Sequence, residues 1–270
     1  MNESVNSVFA KIPLWAARQL ADYDANEPGT LFAEDVRIDV DQGYELQTAV
    51  NRLRMARGER IIGYKVGCTS TVIRQQLGID HCISGRLFDS ERYASGSTLT
   101  RDQFANPAVE GELAIELSRE PRDDDFLTDG IPACVARLFP VIELHNLVMR
   151  CRTPSAGELI ANNAIHAGFV VSDSRDDKLQ SPCEPGILSI FMNDRRLDGC
   201  PGDSLLRTLR SSLAWLNHFV RQRGEHLEEG TVILTGSVPS LIPIKEDCLI
   251  RVDAFPFGQV EATFTSQQIP

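Results

Sequence analysis

Val109-Glu110-Gly111-Glu112-Leu113-Ala114-Ile115-Glu116-Leu117 changes character from each residue to the next. Val109, Gly111, Leu113 and Ile115 form one set, and Glu110, Glu112, Ala114 and Glu116 the other. A period of two marks a strand with two different faces. Working outward, further strands are expected at 61–67, 141–144, 169–171, 232–234, 249–255 and 260–264. Residues 187–199 read as a hairpin turning at Asn193-Asp194. The N-terminal third reads as helical. It holds an apolar stretch around Trp15 and Leu20, then Leu46, Ala49, Val50 and Leu53 at helical spacing, with Gly58 as the C-cap. Leu206, Leu209, Leu213, Leu216 and Val220 mark a long amphipathic helix from about residue 204 to 223, with Trp215 on its buried side. Helices first, then a strand-dominated region holding one long helix, make an α+β layout. The border lies near residue 58, dividing a helical region, 1–58, from the remainder, 59–270.

The chain has 270 residues, with 27 Lys+Arg against 38 Asp+Glu, a formal net charge of −11. That sign argues against nucleic acid as a partner, since phosphate binding needs the opposite charge. No apolar run approaches the roughly 18–20 residues of a membrane span. Met1-Asn2-Glu3-Ser4 has neither the basic start nor the apolar core of a signal peptide. The cysteines at 68, 82, 134, 151, 183, 200 and 248 are odd in number and contain no C-x-x-C. They read as free thiols in a reducing compartment, and so as a cytoplasmic protein. No glycine-rich nucleotide motif is present, and Asp123-Asp124-Asp125 reads as a solvated loop.

Glu110-Gly111-Glu112 is the sharpest chemical feature. On a strand both carboxylates project from one face, where like charges repel unless a cation lies between them. Oxygen ligands at this spacing suit a hard ion such as Mg²⁺ or Mn²⁺, and Gly111 leaves room for close approach. The alternative is a solvated acidic face on an edge strand. Glu143 lies in the apolar run Phe139-Pro140-Val141-Ile142-Glu143-Leu144, where a buried carboxylate needs a metal, a cation or a proton; a surface or capping role is the alternative. Lys65 sits in the glycine-flanked strand Gly63-Tyr64-Lys65-Val66-Gly67, a setting for a specific anionic partner or for a lysine snorkelling from an edge. His145 falls on the same side as Glu143 if that strand is regular, which makes it a candidate acid/base. His166 is a weaker candidate of the same kind, and Cys68 a remote candidate nucleophile.

These residues, in this order, resemble the fumarylacetoacetate hydrolase superfamily, in its branch of 2-keto-4-pentenoate hydratases and 4-oxalocrotonate decarboxylases. The resembling segments are Ile61 to Ser70, Pro107 to Ala114, Ile142-Glu143, Leu213 to Asn217, Leu234 to Ser237 and Gly258-Gln259-Val260 before Phe264. The resemblance implies a helical N-terminal region packed on a mixed β-roll core. It also implies a Mg²⁺ or Mn²⁺ ion held by Glu110, Glu112 and Glu143. Lys65 would be a catalytic residue, and Thr69, Ser70, Gly236 and Ser237 would line the substrate pocket. The implied reaction is hydration of a 2-hydroxy-2,4-dienoate to a 4-hydroxy-2-oxo acid, with decarboxylation of a 2-oxo-hexenedioate as runner-up and hydrolysis of an acylpyruvate third. A homo-oligomer is implied, and a complex with a related lyase is compatible with it. The sequence departs from the family where E-I-x-D-S-R becomes Glu143-Leu144-His145-Asn146-Leu147-Val148 and D-N-A-S becomes Asn162-Asn163-Ala164-Ile165. An aspartate is also missing before Gly85, where Ser84 stands. Lost polar groups of this kind leave open a different substrate, or a catalytically inactive partner subunit.

Overall fold

A computed structural model describes residues 10–153, 155–172 and 185–266. Two helices, α1 (Ile12–Asp24) and α2 (Val40–Ala56), precede the first strand, β1 (Ile61–Gly67). Helix α2 starts at a reciprocal cap. Asp39 Oδ1 accepts from Gln42 N–H at 2.8 Å, and Gln42 Oε1 accepts from Asp39 N–H at 3.1 Å. It ends at Arg57, and Gly58, one residue further, holds φ at +104°. Next come α3 (Thr71–Leu77), β2 (Ile83–Phe88), β3 (Arg92–Ala94), β4 (Ser97–Thr100), β5 (Pro107–Leu117), β6 (Val135–Asn146), α4 (Ala156–Ala161) and β7 (His166–Val171). The hairpin β8 (Ile187–Met192) and β9 (Arg195–Pro201) leads into α5 (Gly202–Gln222). The chain closes with β10 (Val232–Leu234), β11 (Ile242–Pro243), β12 (Cys248–Phe255) and β13 (Gly258–Thr265).

The strands form two sheets. The first runs β2-β1-β10-β5-β6-β7-β3, with β11 also on β5; the second runs β4-β13-β12-β8-β9. Most pairs are antiparallel, while β1–β10, β3–β7 and β4–β13 are parallel. The alternation of β5 explains how the sheets stack. Val109, Leu113 and Ile115 join Ile142, Leu144, Leu188, Ile190, Ile250 and Val252 in the core between the sheets, where α5 adds Leu205, Leu209, Leu213, Leu216 and Val220. The opposite face of β5 carries Ala114 into a second apolar cluster with Phe139, Val141, Phe169 and Leu234, and it carries Glu110 and Glu112 beyond it. A Cβ on Gly111 would stand 2.8 Å from Ile190 Cδ1, so the glycine serves contact with the second sheet. The mixed, curled architecture agrees with the α+β, β-roll expectation.

Three readings need correction. Leu205, not Leu206, lies on the buried face of α5, and Trp215 is half-buried, stacked on Phe219 at 5.0 Å. Asp125 is not a solvated loop residue: Arg119 clasps it at 2.6 Å and Arg122 N–H donates to it, so the chain turns back on a buried carboxylate. Helix α3 and strands β2, β3, β4 and β11 carry too little local periodicity to be read.

Candidate active site

Strand pairing builds the site. In the β5–β6 register Glu110 stands opposite Glu143, Glu112 opposite Val141 and His145 opposite Ala108. The carboxylates of Glu110 and Glu143 therefore face each other across one ladder position, flanked by His145 on one strand and Glu112 on the other. Glu143 is fully buried and Glu112 nearly so, whereas Glu110 is partly open to solvent.

Around Glu143 the charges are close. Lys65 reaches over from β1 and donates to Glu143 Oε1 at 3.1 Å, and its ammonium lies 3.4 Å from the carbonyl of Ala164. His166, the first residue of β7, holds Nδ1 2.7 Å from the same Oε1. His145 Nε2 lies 3.3 Å from Glu110 Oε2 and 3.7 Å from Glu143 Oε2. Glu112 turns one oxygen to the backbone: Gly236 N–H donates to its Oε2 at 2.9 Å. Burial works to lower the Lys65 pKa, but Glu143, Glu110 and Glu112 outweigh it and hold the ammonium above its ordinary value. Burial works to raise Glu143, yet Lys65 and the two histidines keep it below the usual carboxylate range. Glu112 goes the other way, raised well above that range by burial and by the charges of Glu143 and Glu110.

A cleft of about 490 Å³ opens on this cluster. Lys65, Glu110 and His145 meet it, together with Thr69, Ser70, Gly236 and Ser237. Its other walls are largely apolar: Ile73, Ile83, Leu159, Ile165, Val238 and Leu241. Gly236, at φ +94°, lets the loop after β10 approach Thr69, whose Cγ2 would be 2.5 Å from any Cβ there. All the candidate residues named from sequence thus gather in one region. Glu112 and Glu143 lie behind the cleft wall, His166 borders the smaller chamber beside it, and the rest meet the cleft. Cys68 also borders it, but burial pushes its thiol up to about 11, the wrong direction for a nucleophile.

Sequence reasoning underrated His166 and missed the turn 163–165. Asn163, Ala164 and Ile165 all have φ between +53° and +56°, a run that L-residues adopt only under constraint. Asn163 supplies that constraint by bonding both N–H and C=O of Arg86, at 2.7 and 2.9 Å. The turn delivers the Ala164 carbonyl to Lys65. Of the residues that break the family pattern, Ile165 lies on the cleft wall and the others lie elsewhere. Asn146, Val148 and Asn162 line a second, smaller chamber of about 40 Å³ with Gln19, Tyr23 and Arg54. Asn146 Oδ1 accepts from Ala105 N–H at 2.8 Å, and Asn162 pairs with Gln19.

The donor set suits a divalent ion. One donor atom from each of Glu110, Glu143 and His145 lies within 4.8 Å of the other two. Glu143 Oε2, Glu112 Oε1 and both ring nitrogens of His145 are buried without a hydrogen-bond partner. Buried polar atoms left in this way call for a ligand.

No family model matches the chain. Its fold is that of the 4-oxalocrotonate decarboxylase from Pseudomonas putida, solved with magnesium and adipate, at a TM-score of 0.83 and 22% identity over 94% of this chain and 97% of that one. The fumarylpyruvate hydrolase from Pseudomonas aeruginosa, solved with Mn²⁺ and pyruvate, matches at a TM-score of 0.59 and 13% identity over 76% and 89%. Fold and sequence together liken the chain to the fumarylacetoacetate hydrolase superfamily, as a divergent relative. Among curated relatives it is similar to the 2-keto-4-pentenoate hydratase of Burkholderia vietnamiensis, 28% identical over 84% of this chain and 87% of that protein. The 2-hydroxyhexa-2,4-dienoate hydratase of Comamonas testosteroni is 25% identical over 85% of each.

Proposed function

We propose that the chain is a metal-dependent hydratase that converts a 2-hydroxy-2,4-dienoate to a 4-hydroxy-2-oxo acid. The observation that carries this reading is the buried Lys65–Glu143 pair beside the facing carboxylates of Glu110 and Glu143, at the foot of a largely apolar cleft. Glu110, Glu112 and Glu143 would hold Mg²⁺ or Mn²⁺. When bound there, the ion supplies Lewis-acid polarisation of a substrate's carboxylate and 2-oxo group. Lys65, kept protonated by its acidic neighbours, is poised to deliver a proton to the dienol carbon chain as it becomes a 2-oxo acid. Glu143 holds the lysine in place, and the Ala164 carbonyl orients the ammonium. Thr69, Ser70, Gly236 and Ser237 would position the substrate's polar end, and the apolar walls its hydrocarbon end.

The cleft favours hydration over decarboxylation. Among its described lining residues Lys65 is the one lysine or arginine, while a 2-oxo-hexenedioate brings a second carboxylate that would lack a partner. Asn146, Val148 and Asn162 border the smaller chamber, and the departure that reaches the cleft, Ile165, is an apolar wall residue, so Lys65, Glu110, Thr69, Ser70, Gly236 and Ser237 all remain in the cleft, which supports an active enzyme over an inactive partner subunit. One catalytic unit over 59–270 with a helical flank, a homo-oligomeric assembly and a cytoplasmic setting complete the reading. The last is consistent with the lack of a membrane-crossing helix among the described residues.

Loss of the ultraviolet absorbance of a 2-hydroxydienoate in the presence of Mg²⁺ or Mn²⁺ tests the proposal. Turnover to hydrated product that disappears in Glu110→Ala and Lys65→Ala supports it. Release of CO₂ without hydrated product transfers the reading to decarboxylation, and no turnover with no metal bound refutes the enzyme.

A further inference from the structure

We propose that His145 is a ligand of the same ion, adding an imidazole nitrogen to the carboxylates. The inference rests on the metal-site reading above and extends it. His145 is two residues from Glu143 on β6, so both side chains leave the same face of the sheet. It flanks the Glu110–Glu143 pair on the side opposite Glu112, because the register puts it across from Ala108. Its ring is buried, and neither nitrogen has a hydrogen-bond partner, although Nε2 stands 3.3 Å from Glu110 and 3.7 Å from Glu143. One ring nitrogen of His145 and one oxygen from each of those carboxylates lie within 4.8 Å of one another, a spread that a single ion can close.

Glu112 is already tied to Gly236 N–H through one oxygen and keeps the other free. His166 differs from His145 in being committed to Glu143 through Nδ1, which makes it an orienting partner of a ligand rather than a ligand. Four protein donors would leave two of six coordination positions, the number that a chelating 2-oxo acid occupies. A nitrogen donor also changes the choice of ion. Mg²⁺ favours oxygen alone, whereas imidazole suits the later divalent metals, and Mn²⁺ accepts both. The chain is therefore expected to prefer Mn²⁺ over Mg²⁺.

Pulsed electron paramagnetic resonance of Mn²⁺ bound to the full chain tests this. The expected spectrum shows a directly coordinated nitrogen whose coupling changes when the histidines carry heavy nitrogen. It is lost in His145→Gln and kept in His166→Gln. The His145→Gln variant should lower Mn²⁺ affinity about tenfold or more and Mg²⁺ affinity less, narrowing the preference. The labelled wild type can still overturn the inference if the His145→Gln variant fails to fold, and loss or retention of the coupling in His166→Gln then assigns the nitrogen. One Mn²⁺ per chain with no nitrogen coupling overturns the inference and leaves the carboxylate site standing. Failure to bind Mn²⁺ overturns both.

Discussion

Lys65 shows what a single buried charge does in this fold. Its ammonium is almost fully enclosed, faces a fully buried carboxylate, and bridges β1 to β6. Removing one partner of such a pair leaves the other without compensation, a loss of about 3–5 kcal/mol. Lys65→Met should therefore lower thermal stability by that order. It should also cut turnover about 10²- to 10⁴-fold through loss of the proton donor. Circular-dichroism melts and dienoate turnover measure the two effects separately. Unchanged turnover in a folded variant would remove Lys65 from the chemistry.

Strands and helices set these side chains, and only some of that was legible. The i, i+2 spacing of Glu110 and Glu112 is local, so β5 could be read directly. Glu143 stood out as an acid inside an apolar run. The contact of His166 with Glu143, the Ala164 carbonyl and the Arg54–Glu91 pair were hidden, because each joins the site region or its surroundings through sheet order and loop geometry that no short stretch encodes. Gly111 was read as leaving room between two acids. Its strand presents it to the second sheet instead, against Ile190 and Val252. Gly111→Val should overpack that contact and cost about 1–3 kcal/mol, read as a lowered denaturant midpoint. The junction from α2 to β1 carries a different device. Burial works against ionisation of Glu59, but Arg54, Ser90 and Arg57 outweigh it and hold the carboxyl down at about 2, below its ordinary value of 4.5. A depressed carboxyl contributes stability above its unfolded value and loses it as pH falls through the folded one. The melting-temperature advantage of wild type over Glu59→Gln should thus be full near neutrality and shrink between pH 4.5 and about 2. A constant difference across that window would contradict the assignment.

At the scale of the molecule, the surplus of eleven negative charges is partly concentrated where three glutamates meet. Binding a divalent ion there favours the folded state over the unfolded one. At a free concentration of a hundred times Kd, Mn²⁺ should add about 2.7 kcal/mol. Glu110→Ala should abolish that gain while folding normally, since Glu110 is the most exposed of the three. A melt that rises equally in both proteins would put the ion elsewhere.

The account stands most directly on where the ion and the substrate end lie. A crystal soaked with Mn²⁺ and a small 2-oxo acid, examined by anomalous diffraction, measures both. The expected result is one anomalous peak among Glu110, Glu112 and Glu143, with carboxylate oxygens at a little over 2 Å, and the 2-oxo acid chelating the ion on the cleft side near Lys65. A peak outside this cluster, or a ligand bound away from the cleft, would contradict it.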